Sequence, residues 1–391
     1  MSTRTASALG ILALIGLLVG PIDLTAQASA GGVEIHSLSI NTPDFEYAPT
    51  ITADGSTLYY CSDRSDGVGG HDIWVATRAG DGAWDFSAAT NIGEPVNTPL
   101  NEGVASIAAD GRTIFFTGCQ RDDGLGDCDI YIAELVGGTF TNIRNLRTIN
   151  SPYWDTQPTV SADGRTLCFV SNRPGALGGT TDIDLYVSTK LPNGEWSAPR
   201  NLGEPVNTRY REDSPYLHPS GELLYFSSAG HGGLGGLDFN VSRREGDGWS
   251  APSNLGAPIN TSRDERFITV PASGTEVYFS SERTDVGNLG KLDIFVATGV
   301  TIPSGIGGTI AASGTLSATP NPARDRIDVM LTGLDAAPGV SHELSISDAR
   351  GAVVARHTLN GERTSVDISG LSSGLYLLRV GGLATTVMVR K

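Results

Sequence analysis

Apolar and polar residues alternate along most of this chain in short runs, the period of half-buried β-strands, and the runs recur in a fixed order. The first complete unit begins at Glu46 and reads Pro49-Thr-Ile-Thr-Ala-Asp-Gly-Ser-Thr-Leu-Tyr-Tyr-Cys-Ser-Asp-Arg64. It then crosses a glycine-rich loop to Asp72-Ile-Trp-Val-Ala. The unit returns four more times, with a turn glycine at Gly55, Gly111, Gly164, Gly221 and Gly274, at steps of 56, 53, 57 and 53 residues. Each copy predicts four strands. The first carries an acid and an apolar pair. The second is Thr57-Leu-Tyr-Tyr or a relative, the third starts at Asp72, Asp129, Asp184, Asp238 or Asp293, and the fourth starts at Trp84, Phe140, Trp196 or Trp249. The fourth ends in Asn-Leu-Gly-x-Pro-Val-Asn-Thr or a variant. Repeats of this length, built of short strands and Gly-rich turns, predict propeller blades.

The fifth copy stops after its third strand, at Phe295-Val-Ala297. Near the other end, Ser37-Leu-Ser-Ile-Asn-Thr42 has the Asn-Thr ending of a fourth strand but precedes the first blade. A strand at about 33–40 is therefore expected to complete blade five and close the ring, which removes exposed sheet edges. Residues 298–314 have linker composition. From Thr315 the pattern changes to short alternating strands, including Arg326-Ile-Asp-Val-Met-Leu and Leu375-Tyr-Leu-Leu-Arg-Val380. The expected fold is all-β: a five-bladed β-propeller over 31–297, closed by an N-terminal strand, a linker over 298–314, and a small Ig-like β-sandwich over 315–391.

These repeats resemble the TolB-type, WD-like propeller repeat family of bacterial envelope proteins, over roughly 33–297. That resemblance implies binding of proteins, peptides or glycans, and in a few relatives enzymatic activity. The tail resembles the C-terminal sorting domain of type IX secretion cargo in Pro320-Asn-Pro322, Asp348-Ala-Arg-Gly351, Val366-Asp-Ile-Ser-Gly-Leu371, Gly374-Leu-Tyr376 and the basic end Val389-Arg-Lys391. It implies passage through the periplasm and transport across the outer membrane by the type IX machinery. The mature protein is then left on the surface or released.

Composition agrees with this destination. Residues 1–30 place Arg4 before the apolar run 8–19 and two Ala-x-Ala sites ending at Ala28 or Ala30, the form of a cleaved export signal. The run is short for a membrane span. The chain has 391 residues, 50 of them Gly, and a net charge of -16, which disfavours nucleic acid and anionic membranes as partners. Export permits disulfides. Cys119 and Cys128 bracket one loop and are expected to pair, while Cys61 and Cys168 are expected to be buried free thiols.

Nine residues before every turn glycine stands an acid: Glu46, Glu102, Asp155, Glu212 and Glu265. Innermost strands would place these five around one mouth of the central channel, where like charges need partners. Hairpin arithmetic sets Glu46 opposite Arg64, Asp155 opposite Arg173 and Glu265 opposite Arg283, which reads as blade architecture rather than catalysis. The departures from the repeat are then the informative places. Glu102 falls opposite Gln120 and Glu212 opposite Gly230, with Arg121, Arg209, Arg211 and Arg263 nearby. On the same face stand Tyr153, Trp154, Tyr210 and Arg211, and Tyr216 replaces a Thr or Ser of the other copies. Glu102, Glu212, Tyr153, Trp154, Tyr210, Arg211 and Tyr216 are the candidate binding residues, suited to stacking on sugars or clamping a peptide.

Other chemistry has weaker support. Asp63, Asp66, Asp122, Asp123 and Asp127 are turn aspartates that could hold Ca²⁺, but without EF-hand spacing, so no cofactor is expected. The Gly-rich loops join strands rather than opening a helix, unlike a phosphate site. His71, His218 and His231 have no nucleophile pattern around them. The expected function is a non-catalytic surface binding module for a glycan or protein. The alternative is a propeller glycoside hydrolase or lyase acting on extracellular polysaccharide, which would draw on Glu102 and Glu212.

Overall fold

The computed structural model describes residues 27–28, 32–53, 55–80, 85–179, 183–271, 276–301, 315–332, 341–348, 353–360, 363–380 and 383–391. Most of the expected export signal, Trp84, Gly274 and residues 302–314 of the expected linker lie outside them.

Among the described residues, five antiparallel sheets follow one another in the order of the repeats. In the first, Glu46–Ile51, Thr57–Ser62, Asp72–Arg78 and Phe86–Asn91 pair in sequence order. The innermost strands of the next four are Asn101–Ile107, Asp155–Val160, Glu212–Leu217 and Glu265–Thr269. Each innermost strand packs against the next, and Glu265–Thr269 packs back against Glu46–Ile51, so the strands form a ring. This is a β-propeller. The last sheet is completed from the N-terminal side: Glu34–Ser37 pairs antiparallel with Asp293–Thr298, in the register Glu34↔Thr298 to Ser37↔Phe295.

The apolar faces of the strands explain why the sheets stack. One hydrophobic cluster fills each junction. Ile73 and Phe116 meet between the first and second sheets, Phe115 and Phe169 between the second and third, and Cys168 and Phe226 between the third and fourth. Phe239 and Phe279 meet between the fourth and fifth. The junction between fifth and first buries Leu38 and Ile40 with Tyr60, Trp74 and Ile294, so residues just before the first blade help seal the ring.

A second device knits the blades. The Asn that ends each repeat reaches back to the third strand of its own sheet, and Asn97 accepts from Ile73 N and donates to Ile73 O at 2.9 Å each. Asn150, Asn207 and Asn260 clamp Ile130, Leu185 and Phe239 in the same way. At the closure Asn41 does it across the seam, holding Ile294 N at 2.9 Å and Ile294 O at 2.8 Å.

The outer strands are less regular than the repeat suggests. In the third sheet only Arg200–Asn201 continues the pairing, with a separate bridge from Lys190 to Trp196, and in the fourth Gly248–Trp249 and Ser253–Asn254 are separate pieces. Cys119 and Cys128, a directly opposed cross-strand pair, form a disulfide, and Cys61 and Cys168 are buried and free.

The C-terminal strands form two further sheets. One holds Thr315–Thr319, Arg326–Thr332 and Arg363–Asp367, the other Ser341–Asp348, Val353–Asn360, Gly374–Val380 and Leu383–Val389. Ile327, Val329, Leu344, Ile346, Leu378 and Val387 fill the space between them, as in a sandwich. Lys391 Nζ donates to Asp325 Oδ1 at 2.9 Å and pins the basic end. No described helix is long and apolar enough to cross a membrane.

Candidate functional site

Four innermost strands begin with the repeated acid and in the second it follows Asn101, and each of the five acids is buried. Four residues earlier stands a Thr or Ser whose backbone N–H and hydroxyl both donate to that acid. Thr42 N and Oγ1 reach Glu46 at 2.7 Å each, Thr98 reaches Glu102 at 2.7 Å twice, and Ser151 reaches Asp155 at 2.6 Å twice. Thr208 and Thr261 hold Glu212 and Glu265 in the same way. The Asn-Thr or Asn-Ser pair between blades therefore grips backward with Asn and forward with the hydroxyl residue.

The strand register differs from the hairpin arithmetic by two residues. Glu46 lies opposite Ser62 rather than Arg64, Asp155 opposite Ser171, and Glu265 opposite Ser281. Likewise Glu102 lies opposite Gly118 and Glu212 opposite Ser228. One residue comes from the turn and one from a bulge in each innermost strand, two positions past the acid. There Ala48, Val104, Gln157, Ser214 and Phe267 all take φ between 44 and 57°. For residues other than glycine this left-handed backbone costs about 1–2 kcal/mol each. Pro49, Pro158 and Pro215 fall inside the bulge, where no ladder hydrogen bond is lost. The bulge N–H groups turn to neighbouring blades instead: Ala48 N donates to Ser280 Oγ and Gln157 N to Thr117 Oγ1, both at 3.1 Å, and Ser214 N to Gln157 Oε1 at 2.6 Å.

A shift of two residues keeps a side chain on the same face. Arg64 therefore still reaches Glu46 at 3.3 Å, and Arg173 reaches Asp155 at 2.5 Å. Arg121 supplies the pair for Glu102 at 3.0 Å. The expected Glu265–Arg283 pair is not made. Arg283, itself buried, turns to Asp285 at 2.8 Å, and Glu265 is left with Thr261 and Ser281. Glu212 has Thr208 and Ser228 and, among the described residues, no guanidinium. Burial pushes the Glu212 carboxyl up to about 7 and raises that of Glu265, in each case against the Thr and Ser hydrogen bonds that favour the charged form.

The acids do not ring an open channel. Their carboxyl groups are buried at the blade junctions, and the axis is lined instead by Ala48, Pro49, Gln157 and their counterparts around a cavity of about 30 Å³, room for about one water. The larger opening, about 370 Å³, lies at the mouth where the innermost strands begin. Most of its lining comes from the positions that flank the acid, with His71, Thr117, the Cys119–Cys128 pair and Leu292 beside them. Phe45, Asn101, Trp154 and Arg211 stand one before it, Tyr47, Gly103, Thr156 and Arg266 one after, and Val104, Gln157 and Phe267 two after. Of the acids only Glu102 touches it.

Two textures meet there. On the side of sheets one and five, the rings of Phe45 and Tyr47 pack edge-on to His71 at 6.3 and 5.6 Å, and Tyr47 lies 5.5 Å from Phe267. Between sheets four and five, Arg211 and Arg266 share the buried carboxylate of Asp213, both through Oδ2, at 2.7 and 2.5 Å. Burial works against that charge, but Arg266 and Arg211 outweigh it and hold the Asp213 carboxyl below its usual range. Burial lowers the His71 pKa, which keeps the ring neutral at pH 7.

The structure brings Trp154, Arg211 and Glu102 of the expected binding residues into this pocket. Tyr153 and Tyr210 are exposed, at 44% and 49%, and are not part of its lining. Tyr216 lies toward the other end of its strand, where its hydroxyl donates to Val270 O at 2.8 Å and its ring lines the narrow axial spaces. Glu212 is buried away from the pocket. Tyr47, Asp213, Gln157, Arg266 and Phe267 were not singled out from sequence. The available signal was that positions beside the acid differ in every copy while the acid itself does not. Of the loop aspartates, Asp63 accepts Phe45 N at 2.9 Å and Asp123 accepts the Tyr131 hydroxyl at 2.8 Å. Among the described residues no group of His, Cys, Asp and Glu has the arrangement of a metal site.

Residues 317–391 match the family of secretion system C-terminal sorting domains. The C-terminal sandwich is a sorting domain of that kind, and it implies handling by the type IX machinery with delivery to the cell surface or the extracellular space. Among solved structures, the chain is similar to a protein designated TolB from Agrobacterium tumefaciens, at 18% identity over 87% of this chain and 91% of that one, with a TM-score of 0.40. It is similar to TolB from Acinetobacter baumannii at 12% identity over 81% and 67%, TM-score 0.41. It is also similar to an α-L-arabinofuranosidase from Podospora anserina at 11% over 72% and 95%, TM-score 0.45. Among curated proteins, none matches the chain in sequence.

Proposed function

We propose that this chain is an exported, non-catalytic, five-bladed binding module that holds a glycan or protein ligand at the mouth of its propeller. On this reading it leaves the cytoplasm by its N-terminal signal, crosses the periplasm, and is displayed or released by the type IX system. The observation that carries the reading is the composition of the mouth. Its pocket of about 370 Å³ has the size and mixed apolar and polar lining of a ligand site, and it is assembled mostly from positions that vary between the repeats. A hydrolase would need two carboxyl groups facing substrate across a short gap. Glu212 is sealed away from the mouth, and Glu102, at its wall, is bound by Thr98 and Arg121.

The test is a glycan-array and polysaccharide pull-down with the full exported chain, with released sugar assayed in parallel. Binding without product, lost in Trp154→Ala, is the expected result. Released product that disappears in Glu102→Gln would replace this reading with the hydrolase or lyase one.

A further inference from the structure

The mouth pocket carries two guanidinium groups, on a protein of net charge -16. Arg211 and Arg266 share one carboxylate, and their side chains stay 39% and 22% exposed. The Nε of Arg266 is buried without a partner among the described residues. Asn101 and Gln157 each spend their amide oxygen on a backbone N–H, of His71 at 3.0 Å and Ser214 at 2.6 Å. Their amide nitrogens have no acceptor among the described residues. The acids close by are already committed. Glu102 is paired with Arg121, while Asp63 accepts Phe45 N and Asp264 accepts Leu237 N at 3.1 Å.

A donor-rich wall with surplus guanidinium calls for an anion, and guanidinium geometry matches a carboxylate. The indole of Trp154, in the same pocket, offers a flat apolar surface for a ring carrying that carboxylate. From this wall, resting on the binding-module reading above, we infer that the mouth recognises an acidic polysaccharide, the carboxylate of a hexuronate residue meeting Arg211 and Arg266 while its ring lies on Trp154.

Isothermal titration of the full chain with trigalacturonate, its methyl ester, a neutral galactose trimer, and one tripeptide in free-acid and amidated forms tests this. The expected result is binding of the free uronate, weaker by about tenfold or more for the ester and for Arg211→Gln. Affinity should also fall as sodium chloride rises. The ester and salt arms use the unaltered protein, so they stand even if the variant folds poorly. Equal affinity for acid and ester, or binding of the neutral trimer alone, would overturn the acidic-ligand inference and leave a binding module in place. Preference for the free-acid peptide over the uronate would overturn the glycan assignment. Failure of every probe also overturns the inference. The binding-module reading falls only if the glycan array and protein pull-downs are silent as well.

Discussion

Glu46 and Glu212 occupy the same repeat position and differ in one partner. Glu46 collects Thr42, Ser62 and Arg64, whereas Glu212, among the described residues, collects only Thr208 and Ser228. Glu46→Ala strands the buried donors around it and is expected to cost about 3 kcal/mol, read from urea unfolding. Glu212 carries a pH signature. Its folded carboxyl titrates at about 7, above the ordinary value of about 4.3 expected when unfolded. Because the folded state binds the proton more tightly, this contribution to stability is complete below the unfolded value and is lost as pH rises through about 7. Glu212→Gln should therefore flatten the decline in stability between about pH 5 and about pH 8, with a residue of the same sign left by Glu265. An unchanged slope would mean that Glu212 is ionised in the fold. The thiols of Cys61 and Cys168 are both pushed up to about 12 by burial. Alkylating reagents should leave them unmodified until the protein unfolds.

At the scale of elements, the closing strand is the most exposed to test. Asn41 clamps Ile294 with the same two hydrogen bonds by which four other asparagines clamp their own sheets, but it does so across a separation of 253 residues. Asn41→Ala should cost about 2 kcal/mol by loss of two buried hydrogen bonds. Deleting residues 33–42 should lower the melting temperature of the whole propeller, and an unchanged melt would show that the seam does not hold the ring. These elements were legible because each is marked locally: the turn glycines, the Asp that opens each third strand, the terminal Asn-Thr. The register was not, because the left-handed position has no residue signature of its own, and Pro follows it in only three copies. Ala, Val, Gln, Ser and Phe all occupy the same left-handed position, held there by the ring rather than by their own preferences. The turn and the bulge together shift the arginines by two residues along the ladder. Trp154 and Arg211 were visible as oddities, while Tyr47 and Arg266 look like ordinary strand residues until five strands are placed side by side.

For the whole molecule, the tail and the propeller carry separable tasks. Removing residues 317–391 should abolish delivery to the surface or medium, measured by fractionation and by protease accessibility of intact cells. Continued display would contradict the sorting role. Within the propeller, each Asn fixes the end of a repeat to its own sheet and the Thr or Ser beside it grips the acid of the next, and none of these residues except Glu102 reaches the pocket. The scaffold and most of the lining of the mouth are thus written in different letters of the same repeat. A lineage carrying this fold could drift from one ligand to another by single changes beside each acid, with little loss of folding on the way. A library randomised at positions 47, 101, 154, 156 and 211 should accordingly yield mostly soluble, folded proteins of varied preference, whereas one randomised at the acids should yield few that fold.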